Sequence, residues 1–301
     1  MRILLTGASG LIGRHLTPLL REAGHDVVRL VRQRPPQPQT DAVYFDPAGA
    51  NPAPLEGFDA VIHLAGENIA KRWNKRRKRS ILASRGEFTA RLCTALAGAP
   101  NPPAHFLGAS GIGYYGYDHP EPLTEDSPAG EGFLVQVSEQ WEAGTHNLLP
   151  SSPTDPRPRI AIMRIAAVLS PEGGALAKLM TPFRFGLGAV MGDGRQIMSW
   201  ISLPDVLAAI LHVLHAPGLS GAINLTSPNP VTNREFSRAL AKALHRPLLM
   251  RLPKSLVKLM FGQMAVETIL ASQNAIPAKL LASGFTFRHP RFEDALYDLL
   301  G

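Results

Sequence analysis

The sequence is poor in cysteine, in charge and in long apolar runs. Cys93 is the single cysteine among 301 residues, which excludes a disulfide framework and indicates a reducing compartment. No apolar run approaches the roughly 18 residues that cross a bilayer, and the opening MRILLTG enters an apolar strand without the layout of a signal peptide. With one cysteine and scattered histidines, no metal cluster is expected. These absences predict a cytoplasmic protein with no membrane partner.

Positive charge is unevenly distributed. There are 31 lysines and arginines against 24 aspartates and glutamates, and the excess concentrates in KRWNKRRKR, residues 71–79. Three interpretations are open: a solvated helix face, a nucleic-acid surface, or contact with the phosphates of a cofactor. Trp73 is the one aromatic residue in the run, whereas surfaces that stack on nucleic-acid bases use several. A small-molecule substrate is therefore favoured over a nucleic-acid partner.

Apolar runs alternate with segments of helical period. Strands are predicted at RILLTG, HDVVRLVR, AVYFD, DAVIHLAG, AHFLGAS and residues 157–169, and the longest helix between them at residues 81–97. This alternation predicts an α/β fold, a Rossmann-type doubly wound parallel sheet with helices on both faces. We expect residues 1–172 to form this domain, with residues 196–230 returning to it. Residues 173–301 are expected to form a smaller, mainly helical lobe that borders the substrate cleft.

The strongest motif is TGASGLIG, residues 6–13, which lies between the first predicted strand and the first predicted helix. In that context Gly7 permits a tight turn, Gly10 lets the backbone approach a pyrophosphate, and Gly13 lets helix and strand pack closely. The N-terminus of the following helix faces the negative charge. The motif therefore predicts a dinucleotide site, and a merely structural strand-to-helix turn is the alternative.

The glycine spacing resembles the short-chain dehydrogenase/reductase superfamily, especially its extended, epimerase/dehydratase-like branch. In this fold an acidic residue at the end of the second strand favours NAD, whereas an arginine suits the 2′-phosphate of NADP. Here the strand ends in RLVRQR, which places Arg32 at that point and Arg34 close behind. We therefore expect NADP(H), with a merely solvent-exposed Arg32 as the alternative. The resemblance also implies that Asp46 contacts adenine and that the HLAG turn, which ends at Gly66, passes beside the ribose.

Further stretches resemble an atypical branch of that superfamily, which carries the generic name "epimerase family protein". They are AGENIAKRWNKRRKRSILASR, ASGIGYYG and MSWISLPDVLAAI, and the C-terminal IPAKLLASGFTFRHPRFEDAL resembles the domain appended in this branch. The resemblance spans nearly the whole chain and implies NADP binding. The cofactor contacts that it carries over are Gly7, Ser9, Gly10, Leu11, Ile12, Gly13, Arg32, Leu64, Ala65, Arg85 and Val168.

The catalytic residues of the superfamily are missing from their usual places. Ordinary members carry a tyrosine that transfers a proton, a lysine four residues later that lowers the pKa of the tyrosine, and a serine or threonine that fixes the substrate oxygen. On the helix predicted at residues 133–143, Leu134 and Ser138 occupy the first two positions. Gly111 occupies the third.

Other hydroxyl groups follow the fifth predicted strand, at the edge of the sheet where α/β proteins bind their ligands. Ser110, Tyr114 and Tyr115 lie there and are the candidate catalytic residues. A tyrosine acts as a general acid if a nearby cation, such as Arg164, lowers its pKa. The alternative for each tyrosine is a packed aromatic ring with a hydrogen-bonded hydroxyl.

Two functions fit these observations. The first is an NADP(H)-binding oxidoreductase or epimerase-like enzyme that acts on an unidentified small molecule with non-standard catalytic residues. The second is a non-catalytic redox sensor or regulatory protein that reads NADPH against NADP⁺, and the missing Tyr/Lys pair supports it. In either case we expect Trp200 and Asp205 to orient the loop and helix that close the cleft; the alternative for Asp205 is an acidic residue favoured only by the helix dipole. Phe183 and Phe185 are expected either to line an apolar pocket or to lie in the core.

Overall fold

A central parallel sheet organises the computed structural model, which describes residues 1–34, 37, 39–46, 55–150 and 157–301. Its strands, labelled in chain order, are β1 (Arg2–Thr6), β2 (Asp26–Val31), β3 (Ala42–Tyr44), β4 (Ala60–His63), β5 (His105–Gly111), β7 (Arg159–Ile165) and β12 (Gly221–Leu225). Their spatial order is β12-β7-β5-β4-β1-β2-β3, and every neighbouring pair is parallel. The order reverses at β1, so a ligand crevice is expected beyond the carboxyl ends of β1 and β4.

Helices cover both faces of the sheet, which explains why its strands are apolar throughout. Ile3 of β1 packs with Leu16 and Ile210 on one face, and Leu4 packs with Leu92 on the other. The α-helices of the described residues are α1 (Leu11–Glu22), α2 (Lys75–Leu82), α3 (Phe88–Ala97), α4 (Phe133–Gly144), α5 (Gly174–Arg184), α6 (Leu203–His215), α7 (Asn233–Ala243), α8 (Lys254–Phe261), α9 (Ala278–Ala282) and α10 (Phe292–Leu300). The predicted fold class, with a mainly helical C-terminal lobe, is confirmed.

Short strands pair outside the central sheet. The pairs in the described residues are β6 (Asp118–Leu123) with β15 (Ser272–Ala275), β8 (Ala167–Ser170) with β11 (Trp200–Ser202), β9 (Ala189–Met191) with β14 (Met250–Leu252), and β10 (Ile197–Met198) with β13 (Val231–Thr232). Because β6 follows β5 and β15 lies near the C-terminus, the first pair joins the C-terminal lobe to the carboxyl edge of the central sheet.

The single strand predicted at residues 157–169 is wrong, because this segment forms two strands. β7 stays in the central sheet, whereas β8 leaves it and pairs with β11. The chain turns at Ala166, whose N–H donates to the carbonyl of Leu225 at 3.1 Å. Both halves of the segment are apolar, so the hydrophobic pattern gives no sign of the change of partner.

The helix predicted at residues 81–97 begins earlier, at Lys75. Asn74 caps it, because its side-chain oxygen accepts the N–H of Arg77 at 2.8 Å. A π-helical segment (Ala83–Glu87) connects α2 to α3, and such segments often occur at functional sites. The second half of the basic run is therefore helical, and Arg85 lies inside the π-helical segment.

The C-terminal lobe has a core of its own. Trp200, Phe183 and Phe292 are all buried in it, and the indole N–H of Trp200 donates to the carbonyl of Asn229 at 3.0 Å. Phe185, in contrast, is 77% exposed. Phe183 is therefore a core residue, and the two phenylalanines do not share one apolar surface.

Asp205 joins the start of α6 to the C-terminal segment. It is buried at the start of α6, and its carboxylate accepts the N–H groups of Arg288 at 2.7 Å and His289 at 3.0 Å. These bonds attach the C-terminal segment to α6. The sequence showed an acidic residue in the first helical turn; its carboxylate also accepts the hydroxyl of Ser202 at 2.8 Å, but the two N–H donors lie more than eighty residues away in the chain.

Candidate functional site

The glycine loop after β1 is packed too tightly for a side chain at Gly7 or at Gly13. Gly7 has a left-handed φ of +70°, and a Cβ there would lie 2.8 Å from the carbonyl carbon of Leu64. A Cβ on Gly13 would lie 2.3 Å from the carbonyl oxygen of Gly7 and 2.7 Å from the Cα of Ala8. The loop is therefore held between the turn after β4 and the start of α1, as the motif predicts.

The N-terminus of α1 is open to solvent. Gly10 is its N-cap and supplies no side-chain cap, and Ser9 and Gly10 are both exposed. The first N–H groups of a helix have no partner within the helix, and they carry partial positive charge. A phosphate group fits this end of α1.

Four of the predicted cofactor contacts meet beside this loop. Leu11, Ile12, Leu64 and Val168 are half-buried and pack against one hydrophobic cluster. Ala65 follows Leu64, and its N–H donates to the Thr6 hydroxyl at 3.1 Å. The fold therefore brings the glycine loop, the turn after β4 and strand β8 together, although they are far apart in the sequence.

A buried hydrogen-bond chain fixes the turn after β4. The Thr6 hydroxyl accepts the N–H groups of Leu64 and Ala65, both at 3.1 Å, so its own proton is donated to Nδ1 of His63 at 2.7 Å. Nε2 of His63 then carries the ring proton and donates to the Thr89 hydroxyl at 2.8 Å. His63 thereby ties β1 and β4 to α3.

His63 makes stability depend on pH. Burial, together with the charge of Arg85, lowers the pKa of His63 to about 3, whereas in the unfolded chain it titrates near about 6.5. Between these values the unfolded chain binds a proton that the folded chain does not. We therefore expect this group to lower the free energy of unfolding by up to ~1.4 kcal/mol per pH unit as the pH falls from 6.5 towards 3.

Urea unfolding at pH 7, 6, 5 and 4 measures this slope. His63→Asn is expected to be less stable at pH 7 but to show a shallower decline with acid. His146→Asn, at an exposed position, is the matched control and should keep the wild-type slope. Equal slopes for wild type and His63→Asn would contradict the assignment.

Arg85 is a partly buried cation beside the turn after β4. Its guanidinium stacks on Trp141, with Cζ 4.7 Å from the ring centroid. It also packs closely on Gly66, where an added Cβ would lie 2.9 Å from Cζ of Arg85. Burial lowers the pKa of Arg85 to about 10, although the charge of Glu67 opposes this shift. Among the described residues no carboxylate forms an ion pair with Arg85. Since a half-buried cation is costly without a counterion, an anionic group fits beside Arg85.

Arg32 and Asp46 lie at the same edge of the sheet. Arg32 follows β2, Asp46 lies two residues beyond β3, and these neighbouring parallel strands end level with each other. Both side chains are exposed, and the guanidinium of Arg34 lies 5.7 Å from the ring centroid of Tyr44. A solvent-facing arginine beyond β2 leaves room for a further phosphate group at this edge.

A buried ion pair organises the candidate catalytic residues. Arg164 of β7 binds both carboxylate oxygens of Glu142 at 2.9 Å, and the Ser110 hydroxyl donates to the same carboxylate at 2.7 Å. Burial alone would lower the pKa of Arg164, but its bonds to Glu142 raise the pKa above its ordinary value. Arg164 also donates to the Tyr115 hydroxyl at 3.1 Å, and Tyr115 donates to Asn224 at 2.7 Å.

The three candidate hydroxyl groups therefore differ in whether their proton is already donated to a partner in the protein. Ser110 donates to Glu142 and Tyr115 donates to Asn224, and both residues are buried. Burial raises the pKa of Tyr115 and outweighs Arg164, which would lower it. For Tyr115 the expected lowering of the pKa by Arg164 is therefore wrong, because desolvation is the larger effect.

Tyr114 has a different environment. The residue is half-buried, and the centroid of its ring lies 3.4 Å from Cζ of Arg164. Its hydroxyl forms no hydrogen bond within the described part of the chain. Leu134, at the position of the usual tyrosine, packs against Gly113, because a Cβ added to Gly113 would lie 3.0 Å from the Cβ of Leu134. The residue before Tyr114 in the chain therefore packs against the position of the usual tyrosine.

Several residues of this site were missed by sequence reasoning. Thr6, His63, Thr89 and Asn224 are buried and Glu142 is half-buried, and the partners of these polar groups come from distant strands and helices. Buried polar side chains need hydrogen-bond partners, so His63 inside an otherwise apolar strand was the one available signal. The other four have ordinary polar positions in the sequence.

The basic run lies at the rim of this region. Arg77 pairs with Glu67 at 3.0 Å, and Lys78 donates to Gln263 of the C-terminal lobe at 2.5 Å. Lys71, Arg72, Lys75, Arg76 and Arg79 are exposed. The solvated helix face is thus the interpretation that fits most of the run.

Across the described ranges, no cluster of three metal-ligating side chains occurs and no helix has the length and hydropathy to cross a bilayer.

Family comparisons cover nearly the whole chain. Residues 3–225 match the NAD dependent epimerase/dehydratase family, and residues 252–299 match a domain of unknown function, DUF1731. The chain is 40% identical over 297 residues to "Epimerase family protein MT2273" of Mycobacterium tuberculosis, covering 98% of this chain and 96% of that protein. It is 34% identical over 304 residues to "Epimerase family protein SDR39U1" of Homo sapiens, covering 100% of both.

Solved structures agree with the sequence comparisons. Human epimerase family protein SDR39U1, crystallised with NADPH, superposes with a TM-score of 0.88 at 33% identity, covering 100% of this chain and 99% of that chain. The nucleoside-diphosphate sugar epimerase from Corynebacterium glutamicum gives a TM-score of 0.81 at 32% identity, covering 100% of this chain and 58% of that chain. The resemblance seen in the sequence, including the appended C-terminal domain, is confirmed. The chain belongs to the NAD dependent epimerase/dehydratase family.

Proposed function

We propose that this protein binds NADPH at the carboxyl edge of the sheet and acts as an oxidoreductase or epimerase-like enzyme on a small molecule. The observation that carries the proposal is the open N-terminus of α1, which meets a glycine loop with no room for a Cβ at Gly7 or Gly13. The human relative crystallised with NADPH supports the same cofactor. We assign the cofactor to residues 1–172, with residues 196–230, and the substrate to the cleft beside residues 173–301.

The residues that would hold NADPH follow from their chemistry. Ser9, Gly10 and the first N–H groups of α1 suit the pyrophosphate, and Arg85 supplies a nearby cation. Arg32, exposed beyond β2, suits the 2′-phosphate, because an arginine binds phosphate through several charge-assisted hydrogen bonds. Asp46 lies at the same edge and suits the adenosine end. Leu64, Ala65, Gly66 and Val168 would border the ribose and nicotinamide.

Tyr114 is the proposed proton carrier. When bound, NADPH supplies a hydride to a carbonyl carbon, and NADP⁺ accepts one in the reverse direction. Tyr114 Oη would give its proton to the substrate oxygen, because Oη has no partner among the described residues. Ser110 and Tyr115 would support the site, since their protons are already donated within it.

A second candidate function is a redox sensor without catalysis. One observation favours it: Leu134 and Ser138, which occupy the positions of the usual tyrosine and lysine, pack inside the fold, and Ser138 is 4% exposed. A sensor would bind NADPH and NADP⁺ with different affinities and would turn over no substrate.

Titration and turnover together test the proposal. NADPH is expected to bind at least ten times more tightly than NADH, because NADH lacks the phosphate that Arg32 would bind. A panel of ketones, aldehydes and nucleoside-diphosphate sugars is then followed by nicotinamide absorbance; the sugars are included because the Corynebacterium glutamicum neighbour is named as an epimerase of that class. Tyr114→Phe should lower kcat on the order of 100-fold with NADPH affinity unchanged.

Tyr115→Phe is the matched control for Tyr114→Phe. It removes the bond to Asn224 and should lower stability more than it lowers kcat. If Tyr114→Phe left turnover intact, the choice of proton carrier would be rejected and the enzyme function would stand. Binding of NADPH without turnover of any member of the panel would favour the sensor.

A further inference from the structure

The turn that carries Tyr114 has little internal support. Residues Ile112–Tyr115 form a single 3₁₀ turn after β5, and such short turns have poor hydrogen-bond geometry. Inside the turn, the N–H of Gly116 donates to the carbonyl of Gly113 at 3.1 Å. A turn of this kind keeps one orientation only if other parts of the chain hold it.

The N–H of Gly130 donates to the carbonyl of Tyr114 at 3.0 Å, and the C-terminal lobe supplies further support through Gln273 of β15. The side-chain amide of Gln273 donates to the carbonyl of Ile112 at 3.2 Å and also to the carbonyl of Gly116. These two carbonyls flank Tyr114 on either side. The carbonyl of Gln273 is itself fixed by the Ser199 hydroxyl at 2.8 Å, so the amide that holds the turn is anchored at its own backbone.

A second residue of the same lobe fixes the helix behind Tyr114. The buried carboxylate of Glu267 accepts the N–H of Leu134, in the first turn of α4, at 2.8 Å. The other carboxylate oxygen of Glu267 accepts the side-chain amide of Gln263 at 2.7 Å. Glu267 therefore caps a helix that has no cap of its own, and its negative charge suits the N-terminus of a helix. Leu134 in turn contacts the turn at Gly113.

We propose that residues 252–299, the domain of unknown function, form the positioning frame of the active centre, in which Gln273 holds both sides of the Tyr114 turn and Glu267 fixes α4 behind it. The proposal rests on Tyr114 as the proton carrier. In this chain the tyrosine is on a short turn and not on α4, so its orientation depends on the contacts of that turn as well as on Arg164 of β7, which stacks on its ring. Gln273 and Glu267 act through Tyr114 and Leu134 and are positioning residues.

Gln273→Leu tests the frame, because it keeps the size of the side chain and removes both N–H donors. Asn274→Leu is the matched control: the same kind of change at the next residue of β15, where the amide holds Pro120 and not the Tyr114 turn. For Gln273→Leu we expect kcat to fall about 10- to 100-fold, since misplacing a reacting group by ~1 Å has effects of this size. The Kd for NADPH and the KM should stay within about twofold.

Hydrogen exchange of the peptide spanning residues 111–117 gives a readout that does not depend on turnover. Exchange should become at least about tenfold faster in Gln273→Leu and stay unchanged in Asn274→Leu. Gln273→Asn, which is one methylene shorter and reaches one carbonyl at most, should give intermediate values. If Gln273→Leu does not fold, Gln273→Asn takes its place in both measurements.

The outcomes separate the two proposals. Unchanged exchange in both Gln273 variants overturns the positioning frame, and so does faster exchange with unchanged kcat. If the wild-type protein binds NADPH but turns over no substrate, the proposed enzyme function fails, and hydrogen exchange still decides whether the C-terminal lobe holds the turn. An equal fall in kcat in Gln273→Leu and Asn274→Leu would contradict the frame as well, because it would indicate a merely structural role for β15.

Discussion

Gly13→Ala is expected to lower NADPH affinity about 10- to 100-fold. The added methyl group would stand 2.3 Å from the carbonyl oxygen of Gly7 and 2.7 Å from the Cα of Ala8. Both neighbours are backbone atoms, so neither can rotate away, and α1 must move out from β1. Overpacking of this kind costs about 1–3 kcal/mol. When α1 has moved outward in the free protein, binding of the cofactor must bring the loop and α1 back together, and the binding free energy is weakened by the overpacking cost. A loss of ~1.4 kcal/mol corresponds to a tenfold higher Kd.

Titration of nicotinamide fluorescence measures this effect, with Gly98→Ala as the control. Gly98 ends α3 with a φ of −80°, and the nearest atom to an added Cβ there is 3.6 Å away. Alanine therefore fits at residue 98, and the Kd should match that of the wild type. An unchanged Kd in Gly13→Ala would show that the close contact of α1 with the glycine loop is not required for binding.

Arg164→Leu is expected to be the most destabilising substitution, at about 3–5 kcal/mol. It leaves the carboxylate of Glu142, whose side chain is only 17% exposed, without its cation, and removal of one partner of a buried ion pair costs this much. The Tyr115 hydroxyl also loses a donor, and the ring of Tyr114 loses the guanidinium stacked 3.4 Å from its centroid. The whole fold is stable by roughly 5–15 kcal/mol, so a sizeable fraction of that stability should disappear.

Urea unfolding at pH 7 compares Arg164→Leu with Arg14→Leu. Arg14 forms an ion pair with Glu172 at 3.0 Å, close to the 2.9 Å of the Arg164 pair, but its side chain is 44% exposed. Exposed pairs contribute about 0–1 kcal/mol because water and salt screen them. A loss below ~1 kcal/mol in Arg164→Leu would mean that the Glu142 carboxylate finds another partner or becomes solvated, and the buried network would have to be revised.

Much of the fold could be predicted because local patterns specify it. The apolar run RILLTG, the glycines that follow it and the helical period of residues 11–22 each agree with the structure. A parallel sheet buried on both faces requires such continuous apolar strands, so the signal is strong. The prediction was wrong at residues 157–169, where an equally apolar segment divides between two sheets.

The candidate site could be predicted in part. The glycine loop, Leu64, Ala65 and Val168 lie together, as the family resemblance implies. The pairing of Glu142 with Arg164 could not be foreseen, because the two residues are 22 positions apart on different elements. The same holds for Gln273, whose partners at Ile112 and Gly116 lie more than 150 positions earlier.

The sequence by itself determined the class of sheet, the position of the glycine loop and the absence of the usual Tyr/Lys pair, because each of these depends on residues that are close together in the chain. Only the tertiary structure decided which hydroxyl groups are committed to buried partners and which part of the chain holds Tyr114. Burial, desolvation and hydrogen bonds between distant elements arise only when strands and helices pack, and a linear pattern carries no record of them.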